Sequence, residues 1–205
     1  MEGKACGKVV AIGECGLDND RLHFCDAETQ KKWFAAHFSL AQETGLPMFL
    51  HLRNAIEPFI EIFEAHKHLC GRGVVHSFDG SQEDAHRLLR GFSDLCIGLN
   101  GCSLKTAANV QVASTLPLDR LLLETDAPWC EIRPSHASHA LVASEWPAKD
   151  KKRHDPRCTV KGRNEPCKLL QVLEAVAGAR GEDAATVARA THANTLRLFF
   201  PDDAS

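Results

Sequence analysis

Five short apolar runs, the first four each followed by a stretch with helical spacing, constrain this chain more than any other feature. The runs are Val9–Gly13, Pro47–Leu52, Gly73–Ser77, Leu95–Leu99 and Leu121–Thr125. They are rich in aliphatic and β-branched residues with little polar alternation, which reads as strands covered on both faces, the pattern of a parallel sheet. The first intervening helix, Ala27–Thr44, carries Trp33, Phe34, His37, Phe38 and Ala41 at helical spacing and stops at Gly45, just before Pro47. Further helices are expected at Ala55–Lys67, at Ser81–Arg90 with Ser81 as cap and Gly91 as stop, and at Thr106–Thr115 before Pro117. Strands that alternate with helices imply crossover connections and an α/β fold. After the fifth run the order changes to a long polar segment at about 130–164, followed by helices at Pro166–Ala179 and Asp183–Phe200. Five β/α units are too few for a closed eight-stranded barrel, which takes about 250 residues. The pattern by itself leaves two architectures open, a doubly wound open sheet or a TIM-type (β/α) barrel represented by its last five units.

The 205 residues suffice for one domain with a substantial core, and we expect a single domain over 1–205. No apolar stretch approaches the length of a membrane span, and MEGKACGKVV lacks the apolar core of a secretory signal, so a soluble protein without membrane partners is expected. The nine cysteines form no CxxC pair, which suits reduced thiols in an intracellular compartment, cytoplasm or nucleus. A net charge of −3 gives no global attraction to nucleic acid, so such binding would need a local basic patch. No feature calls for an obligate protein partner.

Four of the apolar runs end in or near a residue able to hold a metal: Glu14, His51, His76 and Asp126. Carboxyl ends of parallel strands are where α/β enzymes place their chemistry. Taken singly, each residue is better explained as a helix-capping carboxylate or a hydrogen-bonded histidine; four together point to a metal-dependent hydrolase. Arg53, two residues beyond His51, faces the same side of an extended strand and suits either a phosphate or a surface ion pair. Asn100, Ser77 and Phe78 fit nucleotide contacts or loop structure, and Asp18 fits a turn or the orientation of a ligand. Trp129 suits base stacking or packing under the long loop. The segment Lys149–Arg163, with Lys151, Lys152 and Arg153 at its centre, is the strongly basic stretch of the chain. It would follow a nucleic-acid backbone or lie solvated.

The fragments GECGLD (13–18), HLR (51–53), HSFDG (76–80), GLNGCSLK (98–105), LETDAPW (123–129), RNEP (163–166) and NTLRLFF (194–200) resemble the signatures of the TatD family of metal-dependent DNases, especially its eukaryotic branch. The resemblance runs from about Lys8 to Pro201 with the motifs in the family's order. It implies a (β/α)₈ barrel that hydrolyses DNA phosphodiesters with a divalent cation, usually Mg²⁺, with Mn²⁺ or Zn²⁺ as substitutes. The family's metal ligands carry over onto Glu14, His51, His76 and Asp126. In that scheme Glu14 bridges two cations, His51 and His76 hold one of them, and Asp126 takes a proton from the attacking water. Arg53, Asn100, Lys151, Lys152 and Arg153 become candidate substrate contacts. The family's HxH motif has no counterpart here, since the first histidine is His23. The chain therefore reads as the last five β/α units, with an incomplete two-metal site and reduced turnover expected.

The function expected from these residues is a deoxyribonuclease, exonucleolytic on single-stranded ends. Two alternatives have other chemistry. A metal-dependent amidohydrolase would use similar His and Asp ligands on C–N bonds. A catalytically weak chain that binds a metal or DNA would follow from the absent HxH pair.

Overall fold

The computed structural model describes residues 2–153 and 155–201. Five parallel strands dominate it: β1 (Ile12–Asp18), β2 (Met48–Arg53), β3 (Gly73–Val75), β4 (Leu95–Leu99) and β5 (Leu121–Leu123), ordered β1-β2-β3-β4-β5. Helices occupy every crossover. After a single turn α1 (Glu2–Ala5) come α2 (Ala27–Thr44), α3 (Ile56–His66), α4 (Gln82–Gly91) and α5 (Ala107–Thr115). Two helices close the chain, α6 (Leu169–Arg180) and α7 (Ala184–Phe199). No helix is long and apolar enough to cross a membrane among the described residues.

The chain packs as two compact units. The first comprises Met1–His76, Gln82–Ile97 and His192–Ser205; the second comprises Ser77–Ser81 and Gly98–Thr191.

In the first unit, α2 forms where its caps place it. Asp26 accepts the Thr29 N–H at 2.9 Å, and Gly45 ends the helix at φ 65°, its N–H donating to Ala41. The helix buries Phe34, Phe38 and Ala41 on one face. Trp33, which shares the helical spacing, is 57% exposed, because it lies one residue off the face that Phe34 and Phe38 define. Phe34 and Phe38 meet Phe59 and Phe63 of α3, and Phe63 meets Phe92, with ring centroids 4.4–6.0 Å apart. Beneath this aromatic cluster Met48, Leu50, Val75, Leu95 and Ile97 are fully buried.

Strand β1 departs from the sequence reading. It begins three residues later than the apolar run and continues through GECGLD to Asp18. Backbone pairing with β2 carries it, in register Cys15↔Leu50, Gly16↔His51 and Asp18↔Arg53, after a shift between Ile12 and Cys15. Glu14 thus lies in an irregular part of a strand rather than beyond its end. The approach of the two backbones is close enough that a Cβ on Gly16 would meet the His51 carbonyl oxygen at 1.9 Å, so only glycine fits there. Strands β2, β3 and β4 continue in regular parallel register, Leu50↔Val75 and Val75↔Ile97.

In the second unit the Glu124 N–H, one residue past β5, donates to the Leu99 carbonyl at 3.0 Å. Leu99, Leu104, Ala113, Leu121, Ala175 and Val176 make its core. Arg180 closes the carboxyl end of α5, donating to the Ala113 and Leu116 carbonyls at 3.3 and 2.7 Å. The polar segment 130–164 contains a pairing that the sequence did not foreshadow, β6 (Ala148–Lys149) against β7 (Thr159–Val160). Two-residue strands are too short to leave a periodic signal.

Candidate metal centre

Three ligand-type side chains converge in the first unit. Glu14 Oε1 lies 2.7 Å from His51 Nδ1 and 2.8 Å from His76 Nε2, and the two nitrogens are 3.2 Å apart. Each residue reaches this point by a different route. The shifted register of β1 frees Glu14 from the ladder; β2 carries His51; and His76 follows β3, its N–H donating to the Leu50 carbonyl at 2.9 Å. Phe49 stacks on the His76 ring at 4.8 Å and fixes its plane. His76 is buried, His51 partly so, and the Glu14 side chain is half exposed. The site is therefore open on its carboxylate side.

Hydrogen bonds from His51 and then His76 hold the Glu14 carboxyl well below the usual carboxylate range, so it is ionised at neutral pH. Two imidazole nitrogens and a carboxylate oxygen within 4.8 Å of one another suit a divalent cation. Beside them the Cys15 thiol is pushed up to about 12, chiefly by burial, and is not a thiolate donor.

A carboxylate sits behind the histidine, as is common at metal centres. His51 Nε2 lies 3.2 Å from Asp18 Oδ2, which orients the ring with Nδ1 toward Glu14. Asp18 Oδ1 accepts the Asp20 N–H at 2.9 Å, so the same carboxylate also forms the turn. Asp18 is thus placed for both readings. Removing an outer partner of this kind costs about 10–100-fold in metal affinity. Asp18→Asn is therefore expected to weaken Mn²⁺ binding, measured by calorimetry, by about that factor while leaving thermal unfolding little changed. An unaltered affinity would show that Asp18 serves the turn alone.

Arg53, at the end of β2, is half exposed and donates from Nε to Asp20 Oδ2 at 2.6 Å. Asn54 donates to the other Asp20 oxygen at 2.6 Å. These contacts build a polar rim at the carboxyl ends of β1 and β2.

The second unit carries the remaining candidates. Asp126 follows β5 with φ 52° in the DAPW turn, its carbonyl accepting the Trp129 N–H at 2.8 Å. Asn164 of the RNEP motif braces that turn twice, donating from its side chain to Thr125 O at 2.8 Å and from its N–H to Pro128 O at 3.0 Å. The Cys130 thiol donates to Asp126 Oδ2 at 3.3 Å. Glu124 accepts the N–H of Ser77. Trp129 is 71% exposed, which excludes packing under the long loop.

Asn100 is fully buried, and both ends of its amide are committed: Oδ1 accepts the Cys102 N–H at 2.8 Å, and Nδ2 donates to Ser77 Oγ. Its role here is to hold the loop that carries Ser77. Lys151, Lys152 and Arg153 are exposed in the turn between β6 and β7. Asp155 anchors the base of that turn by binding Lys149 at 2.7 Å and Arg157 at 3.3 Å. His136 and His139 belong to the same segment and join no metal cluster among the described residues; His154 lies outside those residues.

Phe49 and Asn164 act through partners distant in sequence, which no local motif announces; Asp18 was a candidate, but its partner on β2 was not visible, and Cys130 reaches Asp126 only four residues away. The GECGLD and RNEP fragments contain Asp18 and Asn164, but as parts of a family pattern only.

Comparison with known proteins gives one consistent match. A family model described as TatD related DNase matches residues 4–200. The chain is 48% identical over 179 residues to "Deoxyribonuclease Tat-D" of Schizosaccharomyces pombe, covering 86% of this chain and 57% of that protein. It is 37% identical over 198 residues to "3'-5' ssDNA/RNA exonuclease TatD" of Erwinia tasmaniensis, covering 94% of this chain and 66% of that one. A crystal structure of a hydrolase TatD family protein from Entamoeba histolytica superposes with a TM-score of 0.91 at 29% identity, covering 97% and 65% of the two chains. The chain thus spans less than two thirds of the length of these relatives. Their superposition identifies the five-stranded sheet as part of a TIM-type fold, as the alternating pattern together with the motifs implied.

Proposed function

The chain belongs to the family of TatD-related DNases, and from that premise we propose that it is a metal-dependent deoxyribonuclease, exonucleolytic on single-stranded DNA ends. The observation that carries the reading is the Glu14, His51 and His76 cluster, built on the strands of a TIM-type sheet. We further propose that the two units together make one hydrolase domain.

A divalent cation, Mg²⁺ in this reading, would be held by the Glu14 carboxylate, His51 Nδ1 and His76 Nε2, and would supply charge neutralisation at the phosphate and a more acidic water. The chain's own residues do the rest. Asp18 keeps the His51 ring in the orientation that presents Nδ1. In the second unit the Asp126 carboxylate would accept a proton from water or hold a cation. Arg53, anchored by Asp20, grips a phosphate oxygen. Asn100 acts through Ser77, and Trp129 offers an exposed face to a base. Nine free cysteines fit a reducing compartment, so we place the protein inside the cell, in cytoplasm or nucleus.

The test is digestion of 3′-labelled single-stranded DNA with and without Mg²⁺. Cation-dependent release of mononucleotides is the expected result, and no release with Mg²⁺ or Mn²⁺ would overturn the reading. The basic turn has its own check. If Lys151, Lys152 and Arg153 touch phosphates, replacing all three with Ala should weaken single-stranded DNA binding. The slope of log affinity against log salt should also fall by about 2, at about 0.7 per phosphate contact. An unchanged slope would return these side chains to the solvated surface.

A further inference from the structure

Between β1 and α2 the chain makes a loop, residues 18–25, that is held shut at its stem and apolar at its tip. Gln30 of α2 does the holding. Its Oε1 accepts the Asp18 N–H at 2.7 Å, and its Nε2 donates to the Asp18 and Cys25 carbonyls at 3.0 and 2.9 Å. The tip is tightened by the Phe24 N–H, which donates to the Arg21 carbonyl at 2.9 Å. This fixed loop presents Phe24 at 76% exposure and Leu22 at 45%. The His23 ring lies 4.2 Å from the Phe24 ring at 40°, and the Arg21 guanidinium lies 6.0 Å from the Phe24 centroid.

An ordered, solvent-facing aromatic ring flanked by a guanidinium and an imidazole is an arrangement that accepts the face of a nucleobase. Its position supports the same occupant. The loop leaves β1 at Asp18, whose carboxylate touches the metal-centre residue His51, and its Asp20 binds Arg53 at the carboxyl end of β2. A polynucleotide with a phosphate at the Glu14, His51 and His76 cluster therefore meets, at the same end of the strands, the loop that carries this apolar ring. A fully solvated surface loop would have no need of three hydrogen bonds to display a bare phenyl ring.

We infer that Arg21, His23 and Phe24 form a stacking platform for an unpaired base of a single-stranded polynucleotide, next to the metal centre. The platform reads base faces rather than base edges, so it favours single strands over duplex without choosing a sequence. It rests on the nuclease reading above.

The experiment measures binding of a labelled oligothymidine, and of the same backbone with abasic sugars, with Ca²⁺ in place of Mg²⁺ to hold back turnover. Loss of one aromatic stack should weaken oligothymidine binding by Phe24→Ala about 5- to 150-fold. Phe24→Trp should restore it, and the abasic strand should bind the parent and Phe24→Ala alike. Under Mg²⁺ the loss should appear in KM with kcat little changed. Equal affinities of parent and Phe24→Ala for oligothymidine would overturn the platform while leaving the nuclease reading intact. So would an equal loss for both strands. Self-association that vanishes in Phe24→Ala, with oligothymidine affinity unchanged, would assign the surface to a second copy of the chain instead. If the parent binds neither strand, both the platform and the nuclease reading fail.

Discussion

Replacing Glu14 with Gln should lower divalent-cation affinity and single-stranded DNA hydrolysis by more than about 100-fold. Outer partners of a metal centre already account for about 10–100-fold, and Glu14 is the one anionic donor in the cluster of three. Its Oε1 faces both imidazole nitrogens, at 2.7 and 2.8 Å, so an amide there removes the charge and places either an oxygen or an N–H donor against two nitrogens. Mn²⁺ titration by calorimetry checks the binding and a timed digestion checks the rate; parent-like values in both would remove Glu14 from the centre. The cation-free protein offers a second readout. Because its hydrogen bonds depress the Glu14 pKa from 4.5, their stabilising contribution is complete above that value and is lost as pH falls further. The difference in Tm between parent and Glu14→Gln should therefore be present at neutral pH and shrink in strong acid.

The largest effect on stability is expected from Phe63→Ala. Phe63 is fully buried, with Phe38, Phe59 and Phe92 around it at 5.2, 6.0 and 4.4 Å. Truncating a core phenylalanine costs about 3–5 kcal/mol in lost transfer energy and residual cavity. For a chain of this size that corresponds to a fall of about 6–20 °C in Tm. Trp33→Ala is the matched control, since Trp33 is 57% exposed on α2, and surface changes of this kind usually stay within about 0.5 kcal/mol. Scanning calorimetry of the two variants would expose an error at once: similar Tm values would mean that the phenylalanine cluster is not the core of the first unit.

Elements with local signals were legible. Helix α2 matches its expected range because Asp26 and Gly45 terminate it by chemistry visible in the sequence, and β4 matches because every one of its residues is buried. Strand β1 was displaced because a backbone ladder needs no apolar side chains, so GECGLD can be strand despite two glycines and two acids. The centre was legible in the identity of Glu14, His51 and His76, which are rare residue types to find after apolar runs. The partners were less so. Asp18 was a candidate, but its reach across to β2 was not visible; Gln30 reaches back along the chain to close a loop, and in the second unit Asn100 turns inward to Ser77. Each depends on a partner that only the folded chain brings near, and helical spacing alone did not fix the edge of the buried stripe, which leaves Trp33 outside it.

Glu14 sits on β1, His51 on β2 and His76 just past β3, so the three donors come from three successive strands. An ion gripped by all three would act as a clasp across those strands. At a concentration 100 times its Kd, such an ion would add about 2.7 kcal/mol to the paired form relative to any form in which the strands have parted. Cation supply and strand pairing would then be one equilibrium, and amide exchange along Ile12–Asp18 would gauge how much metal the centre holds.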